Sequence, residues 1–148
     1  MLKITSAFMV CLFLTCCSGT MPANLGLKKG RLAPCPDSPN CVSTQAQDAK
    51  HRIEPIRYSG TQEQARQRLL QAISSMPRAR IITDEANYLH GEFTSLIFRF
   101  VDDVEFFFDD QSKLIHFRSA SRKGYSDLGV NRKRMEEIRK LFDQTPLP

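Results

Sequence analysis

Two segments late in the chain, Val104–Asp109 and Leu114–Arg122, admit one pairing, and that pairing constrains the whole fold. Side chains alternate between the faces of a strand. Val104, Phe106 and Phe108 therefore share one face, with Glu105 and Phe107 on the other. In the second segment Ile115 and Phe117 share a face with Ser119 and Ser121, and His116, Arg118 and Arg122 share the opposite one. Asp110–Lys113 supplies the turn residues between them. Making the apolar faces coincide sets Phe106 across from Phe117 and Phe108 across from Ile115. A slip of one residue would turn every phenylalanine of that face to the wrong side. The same register sets Glu105 across from Arg118, either as a cross-strand ion pair of about 0.2–1 kcal/mol or as a pair that positions a ligand.

The elements before and after this hairpin follow from local signals. Arg52–Tyr58 reads as a short first strand, confined to an edge by Pro55. Thr61–Gln64 is a capping box, and Ala65, Leu69, Ala72, Ile73 and Met76 recur at helical spacing until Pro77 closes the helix. Ala79–Asp84 and Tyr88–Phe100 read as strands around a Glu85–Asn87 turn, with Tyr88, His90, Glu92 and Thr94 on one face. A final helix is expected with Asn131 as N-cap, Val130 and Met135 as a hydrophobic staple, and Met135, Ile138, Leu141 and Phe142 as its buried stripe. The order predicts an α+β fold: a mainly antiparallel sheet of four to five strands with two helices packed on one face. The other face carries Glu105, Phe107, His116 and Arg118.

Residues 1–16 read as an export signal, with Lys3 as the positive end and an apolar stretch too short to span a bilayer. Its end, Leu14-Thr15-Cys16-Cys17, resembles the lipobox of bacterial lipoproteins, with Cys17 as the acylated residue. Cys16 stands where that group usually has Gly, Ala or Ser, which leaves Cys16 as the competing acylation position and an ordinary cleaved signal peptide as the alternative. Of five cysteines, Cys11 and Cys16 would leave with the signal and Cys17 would carry lipid. Cys35 and Cys41 then form the one disulfide pair. Ser18 after the lipidated residue points by resemblance to the outer membrane. The expected organisation is a signal over 1–16, a flexible tether over 17–32 and one globular domain over 33–148. The protein would face the periplasm as a membrane-anchored lipoprotein.

Cys35–Cys41 encloses a proline-rich loop, and its spacing suits a structural bridge better than an active dithiol, which has two residues between its cysteines. Two histidines on separate strands, His90 and His116, are ordinary surface residues before they are metal ligands. No metal and no cofactor is expected. The net charge of +5 is compatible with anionic partners. Nucleic acid is not among them, since the chain is read as exported and carries no nucleic-acid-binding motif.

The three stretches CPDSPNCV at Cys35–Val42, FVDDVEF at Phe100–Phe106 and RSASRKGYSDLGVNRKR at Arg118–Arg134 resemble the domain-of-unknown-function family 1499. That resemblance covers most of the exported domain and implies no established activity.

Two function classes follow. The first is a non-catalytic envelope module binding an anionic small molecule or an envelope protein through an Arg/Asp-rich loop. Arg118, Arg122, Asp127, Asn131 and Arg132 are its candidate ligand-binding residues: Arg118 and Arg122 from one strand face, Asp127 from the loop Gly124–Gly129, and Asn131 and Arg132 from the start of the last helix. The second is an enzyme using Asp102, Asp103, Glu105 and Asp127 for acid–base or divalent-metal chemistry. A third possibility needs no ligand: the same charges form an internal ion-pair network that locks loop to helix.

Overall fold

The computed structural model describes residues 19–146; the expected signal, including Cys16 and Cys17, lies outside the described residues. The elements are β1 (Cys41–Ser43), β2 (Ile56–Arg57), α1 (Gln62–Ser74), β3 (Ala79–Asp84), β4 (Tyr88–Thr94), β5 (Val101–Asp109), β6 (Leu114–Ser121) and α2 (Val130–Gln144). They build one antiparallel sheet in the order β1-β6-β5-β4-β3, with β2 also paired to β6. The α+β expectation holds, with six strands where four to five were expected. The additional one, β1, is three residues long and follows the proline-rich Cys35–Cys41 loop, too short for alternation to reveal it. β1 and β2 share one edge of β6, Cys41 facing Ala120 and Ile56 facing Ile115.

The β5–β6 register is the one that side-chain parity demands: Phe106 faces Phe117, Phe108 faces Ile115 and Glu105 faces Arg118. The apolar side of that ladder meets both helices. Val104, Phe106, Phe108, Ile115 and Phe117 form one buried cluster with Ala65, Leu69, Ala72 and Ile73 of α1 and with Met135, Ile138 and Phe142 of α2. Each large apolar side chain fully removed from water contributes about 1.5–3 kcal/mol, so this cluster is the main stabilising element.

Helix α1 starts at its capping box. Thr61 Oγ1 accepts the Gln64 N–H at 3.2 Å, and Gln64 Oε1 accepts the Thr61 N–H at 3.0 Å. Several boundaries differ from the sequence expectation: the first strand is only Ile56–Arg57 where Arg52–Tyr58 was expected, and β5 begins at Val101, three residues before the expected segment. Strand β4 ends at Thr94, because Ser95–Phe100 folds back on itself: the Ser95 N–H donates to Phe100 O at 2.8 Å and the Phe100 N–H to Ser95 Oγ at 2.9 Å. Helix α2 is capped at Gly129, not at Asn131. Gly129 turns the chain with a φ of +78°, a conformation that costs glycine nothing. The Asp127 carboxylate accepts the N–H groups of Gly129 at 3.0 Å and Asn131 at 2.7 Å. That leaves Asn131 inside the first turn and wholly buried, while Val130 points to solvent and makes no staple.

Candidate functional site

The second face of the sheet carries charge and yet is dry. Alternation along β4, β5 and β6 brings Tyr88, His90, Glu92, Asp103, Glu105 and Arg118 to one side. The ladder pairs Glu92 with Asp103, His90 with Glu105 and Glu105 with Arg118. All six are buried. Residues 19–32, which the sequence reads as part of a tether, run over this face. The Gly26 N–H donates to Glu105 Oε1 at 2.8 Å, Leu32 is buried, and a Cβ placed on Gly19 would lie 3.0 Å from Arg122 Cβ.

Buried charges need partners, and here they have them. Arg122 forks onto Asp103, Nε to Oδ2 at 2.8 Å and Nη2 to Oδ1 at 2.7 Å, and reaches Glu92 Oε1 at 2.5 Å. His90 Nε2 lies 2.8 Å from Asp103 Oδ1. The Tyr88 hydroxyl donates to Glu105 Oε1 at 2.8 Å, and Arg118 Nη1 reaches Glu105 Oε2 at 3.3 Å. Arg118 Nε is buried without a partner among the described residues, so this is the least satisfied pair of the layer.

The titration behaviour follows from these contacts. Burial works against the charged form of Asp103, but the hydrogen bonds from Arg122 and His90 outweigh it and hold the carboxyl below its ordinary value. Glu92 is likewise opposed by burial and lowered by Arg80 and Arg122. The Asp103 contact in turn raises Arg122, with Glu92 adding to it against burial. Burial first, and then the Glu105 charge, pushes the Tyr88 phenol up.

The predicted site residues divide among three places. Arg118, Arg122, Asp103 and Glu105 lie in the charged layer. Asp102 points through the sheet to the helix side and takes Arg134 Nη2 at 2.6 Å. Asp127 and Asn131 stand nearby on that side. Asn131 Nδ2 donates to Asn40 O at 3.1 Å, Ser121 Oγ at 3.0 Å and Asp127 Oδ2 at 2.8 Å, while its Oδ1 accepts from Ser119 Oγ and Arg134 Nη1. Arg132 is elsewhere, donating to Lys50 O at 3.0 Å. Arg118, Arg122 and Arg132 are thus all engaged by a carboxylate or carbonyl.

A different set of arginines meets at the rim of the layer. Arg78, Arg80, Arg99 and Arg122 line an open groove of about 510 Å³ with Glu92 and Val101. Arg80 Nη2 pairs with Glu92 Oε2 at 2.7 Å, and Arg78 Nε donates to Thr94 O at 3.0 Å. The Arg99 guanidinium has no hydrogen bond or ion pair among the described residues. Arg78 and Arg99 both hold left-handed backbone, with φ of +58° and +56°, uncommon for residues other than glycine. The sequence reading passed over these arginines, although Arg80 faces Glu92 across β3 and β4 and Glu92 was already placed with Tyr88 and His90. His116 donates to or accepts from Thr44 Oγ1 at 3.1 Å and stacks on Phe107. Among the described residues no group of three His, Cys, Asp or Glu side chains is arranged to hold a metal ion. Cys35 and Cys41 are joined.

The chain is thus an α+β domain: a six-stranded antiparallel sheet with two helices on one face and a buried charge layer on the other. The family model described as Protein of unknown function (DUF1499) matches residues 31–142, and the chain belongs to that family. Neither a curated protein nor a solved structure matches the chain. Residues 19–30, which run over the charge layer, precede the matched stretch.

Proposed function

We propose that the protein is a bacterial envelope lipoprotein, held to the membrane by acylated Cys17 and facing the periplasm, whose domain binds an anionic group without transforming it. The seat is the groove of Arg78, Arg80, Arg99 and Arg122. The observation that carries this reading is the Arg99 guanidinium, which lines the groove beside three others and has no partner of its own among the described residues. Guanidinium forks match carboxylate and phosphate geometry. Glu92 is already taken by Arg80 and Arg122, so the positive excess belongs to Arg78 and Arg99. Ser18 beside the anchor favours the outer membrane.

The acid–base alternative has no comparable support. Asp102, Asp103, Glu105 and Asp127 are each tied to Arg134, Arg122, Arg118 or a helix start, and they are split between two faces of the sheet.

Calorimetric titration with inorganic phosphate, pyrophosphate and citrate tests the seat. We expect affinity that weakens as salt rises and that disappears in Arg99→Ala and Arg78→Ala at unchanged unfolding temperature. A wild-type chain that binds none of the three, or variants that bind as well as it does, would end this reading.

A further inference from the structure

At the same end of the sheet as the arginine groove, two loops hold out apolar side chains that nothing in the fold requires to be there. The β4–β5 loop exposes Leu96, Ile97 and Phe98 at 68%, 77% and 67%, and the loop before α2 exposes Tyr125 and Leu128 at 75% and 85%. The loops are neighbours, since Leu96 and Val130 line one depression together with Arg78, Lys133 and Arg134. Arg78, Arg99, Lys123 and Lys133 are exposed around them. Aromatic and aliphatic tips ringed by cations are the composition of a surface that sits at the boundary between headgroups and acyl chains.

The path of the N-terminal segment settles which surface that is. Gly19 lies against Arg122 and Lys123, a Cβ there falling 3.0 Å and 3.3 Å from their side chains. The Arg122 N–H donates to Val101 O at 3.1 Å, so Gly19 is beside the base of the exposed β4–β5 loop. Cys17 stands two residues before Gly19, and two residues span at most about 7 Å. Acyl chains on Cys17 must therefore enter the bilayer next to these loops.

We infer that this end of the domain docks onto an anionic lipid surface, with Leu96, Ile97, Phe98, Tyr125 and Leu128 entering the interface and Arg78, Arg99, Lys123 and Lys133 meeting the headgroups. The inference rests on the anchorage proposed at Cys17 and not on the binding of a soluble anion. Docking holds the arginine groove beside the membrane, and the Asp109–Lys113 hairpin lies at the other end of β5 and β6.

The chain contains no tryptophan, so single-tryptophan variants report their own position. Phe98→Trp and Gln111→Trp, both at exposed sites, are purified from their own membranes and placed in phosphatidylglycerol vesicles with brominated acyl chains. Phe98→Trp should emit at shorter wavelength than in detergent-free solution and lose most of its intensity to the bromines, while Gln111→Trp does neither. Adding Ile97→Glu should restore the Phe98→Trp intensity. Solvent-like, unquenched emission from Phe98→Trp on membrane-bound protein, or equal quenching at both positions, overturns the docking. Mass spectrometry of the same sample reads the anchor separately. If neither Cys16 nor Cys17 carries lipid, the anchorage fails, and docking then stands only if the chain still sediments with the vesicles with Phe98→Trp quenched. A chain left in solution overturns it. A protein that docks but binds no phosphate or citrate refutes the groove reading alone.

Discussion

Asp102 and Asp103 are adjacent in the chain and lock opposite faces of the sheet. Asp102 holds Arg134 of α2 at 2.6 Å, and Asp103 holds the fork of Arg122 together with His90. Strand alternation alone assigns these roles. One carboxylate fixes the last helix to the sheet, and the other ties β4, β5 and the end of β6 into the charge layer. The acidic pair is thus two structural fasteners.

Removing Arg122 strips one partner from each of two buried carboxylates, and an unpaired buried charge costs about 3–5 kcal/mol. Glu92 keeps Arg80, so Arg122→Met should fall toward the lower end at pH 7. Asp103 and Glu92 titrate below their ordinary values of 3.8 and 4.5. A lowered folded value means that the stabilisation is complete above the ordinary value and is lost as pH falls through the folded one. The deficit of Arg122→Met relative to wild type should therefore shrink below about pH 4. Urea unfolding at neutral and acid pH measures both, and equal deficits would show that Arg122 is not acting through these carboxylates.

Asn131 joins α2, β6 and the segment before β1. Replacing it by Leu keeps the branching of the side chain, adds bulk at a wholly buried position and leaves Asn40 O, Ser119 Oγ and Arg134 Nη1 without that partner. An unsatisfied buried polar group costs about 1–3 kcal/mol, so Asn131→Leu should be among the most destabilising single changes outside the apolar core. Thermal unfolding of Asn131→Leu beside Arg134→Met tests the connection. If the two act through one network, the double variant should lose less than the sum of the singles.

What could be seen in the sequence was whatever alternation determines. The pairs Phe106–Phe117 and Glu105–Arg118, the α1 capping box and the Cys35–Cys41 bridge all rest on spacing within one or two elements. What escaped depended on three-dimensional neighbours. Asn131 looked like an N-cap because its residue type suits one, but Asp127 supplies the acceptor and Gly129 the turn, and Asn131 is drawn inward. Arg132 and Arg122 belong to one basic run, yet α2 carries Arg132 round to Lys50 while β6 leaves Arg122 at Asp103. The groove gathers Arg78, Arg99 and Arg122 from three loops and strand ends that no single window of sequence contains.

The Cys35–Cys41 bridge closes a short loop ahead of β1. In the chain-entropy account a loop this small gives about 2 kcal/mol. Reduction, or Cys35→Ser with Cys41→Ser, should lower stability by no more than that, since β1 keeps its ladder to β6. Non-reducing peptide mapping should find the two cysteines joined, and two free thiols in the purified protein would contradict it.

The anchorage proposed above turns on two neighbouring cysteines. Acylation at Cys17 sends Cys11 and Cys16 away with the signal and leaves Cys35 and Cys41 as a closed pair. Acylation at Cys16 would leave Cys17 as a free thiol in an oxidising compartment, where it could attack the bridge. Cys17→Ala should therefore abolish labelling by a fatty-acid analogue and release the protein from lipid attachment, whereas Cys16→Ala should leave both intact. Neither change touches the described domain, so unfolding of the purified protein should be indifferent to Cys16→Ala. Label persisting in Cys17→Ala and vanishing in Cys16→Ala would move the anchor one residue back. The reach from the proposed anchor to Gly19 would lengthen only to about 10 Å, which leaves the proposed docking end unchanged.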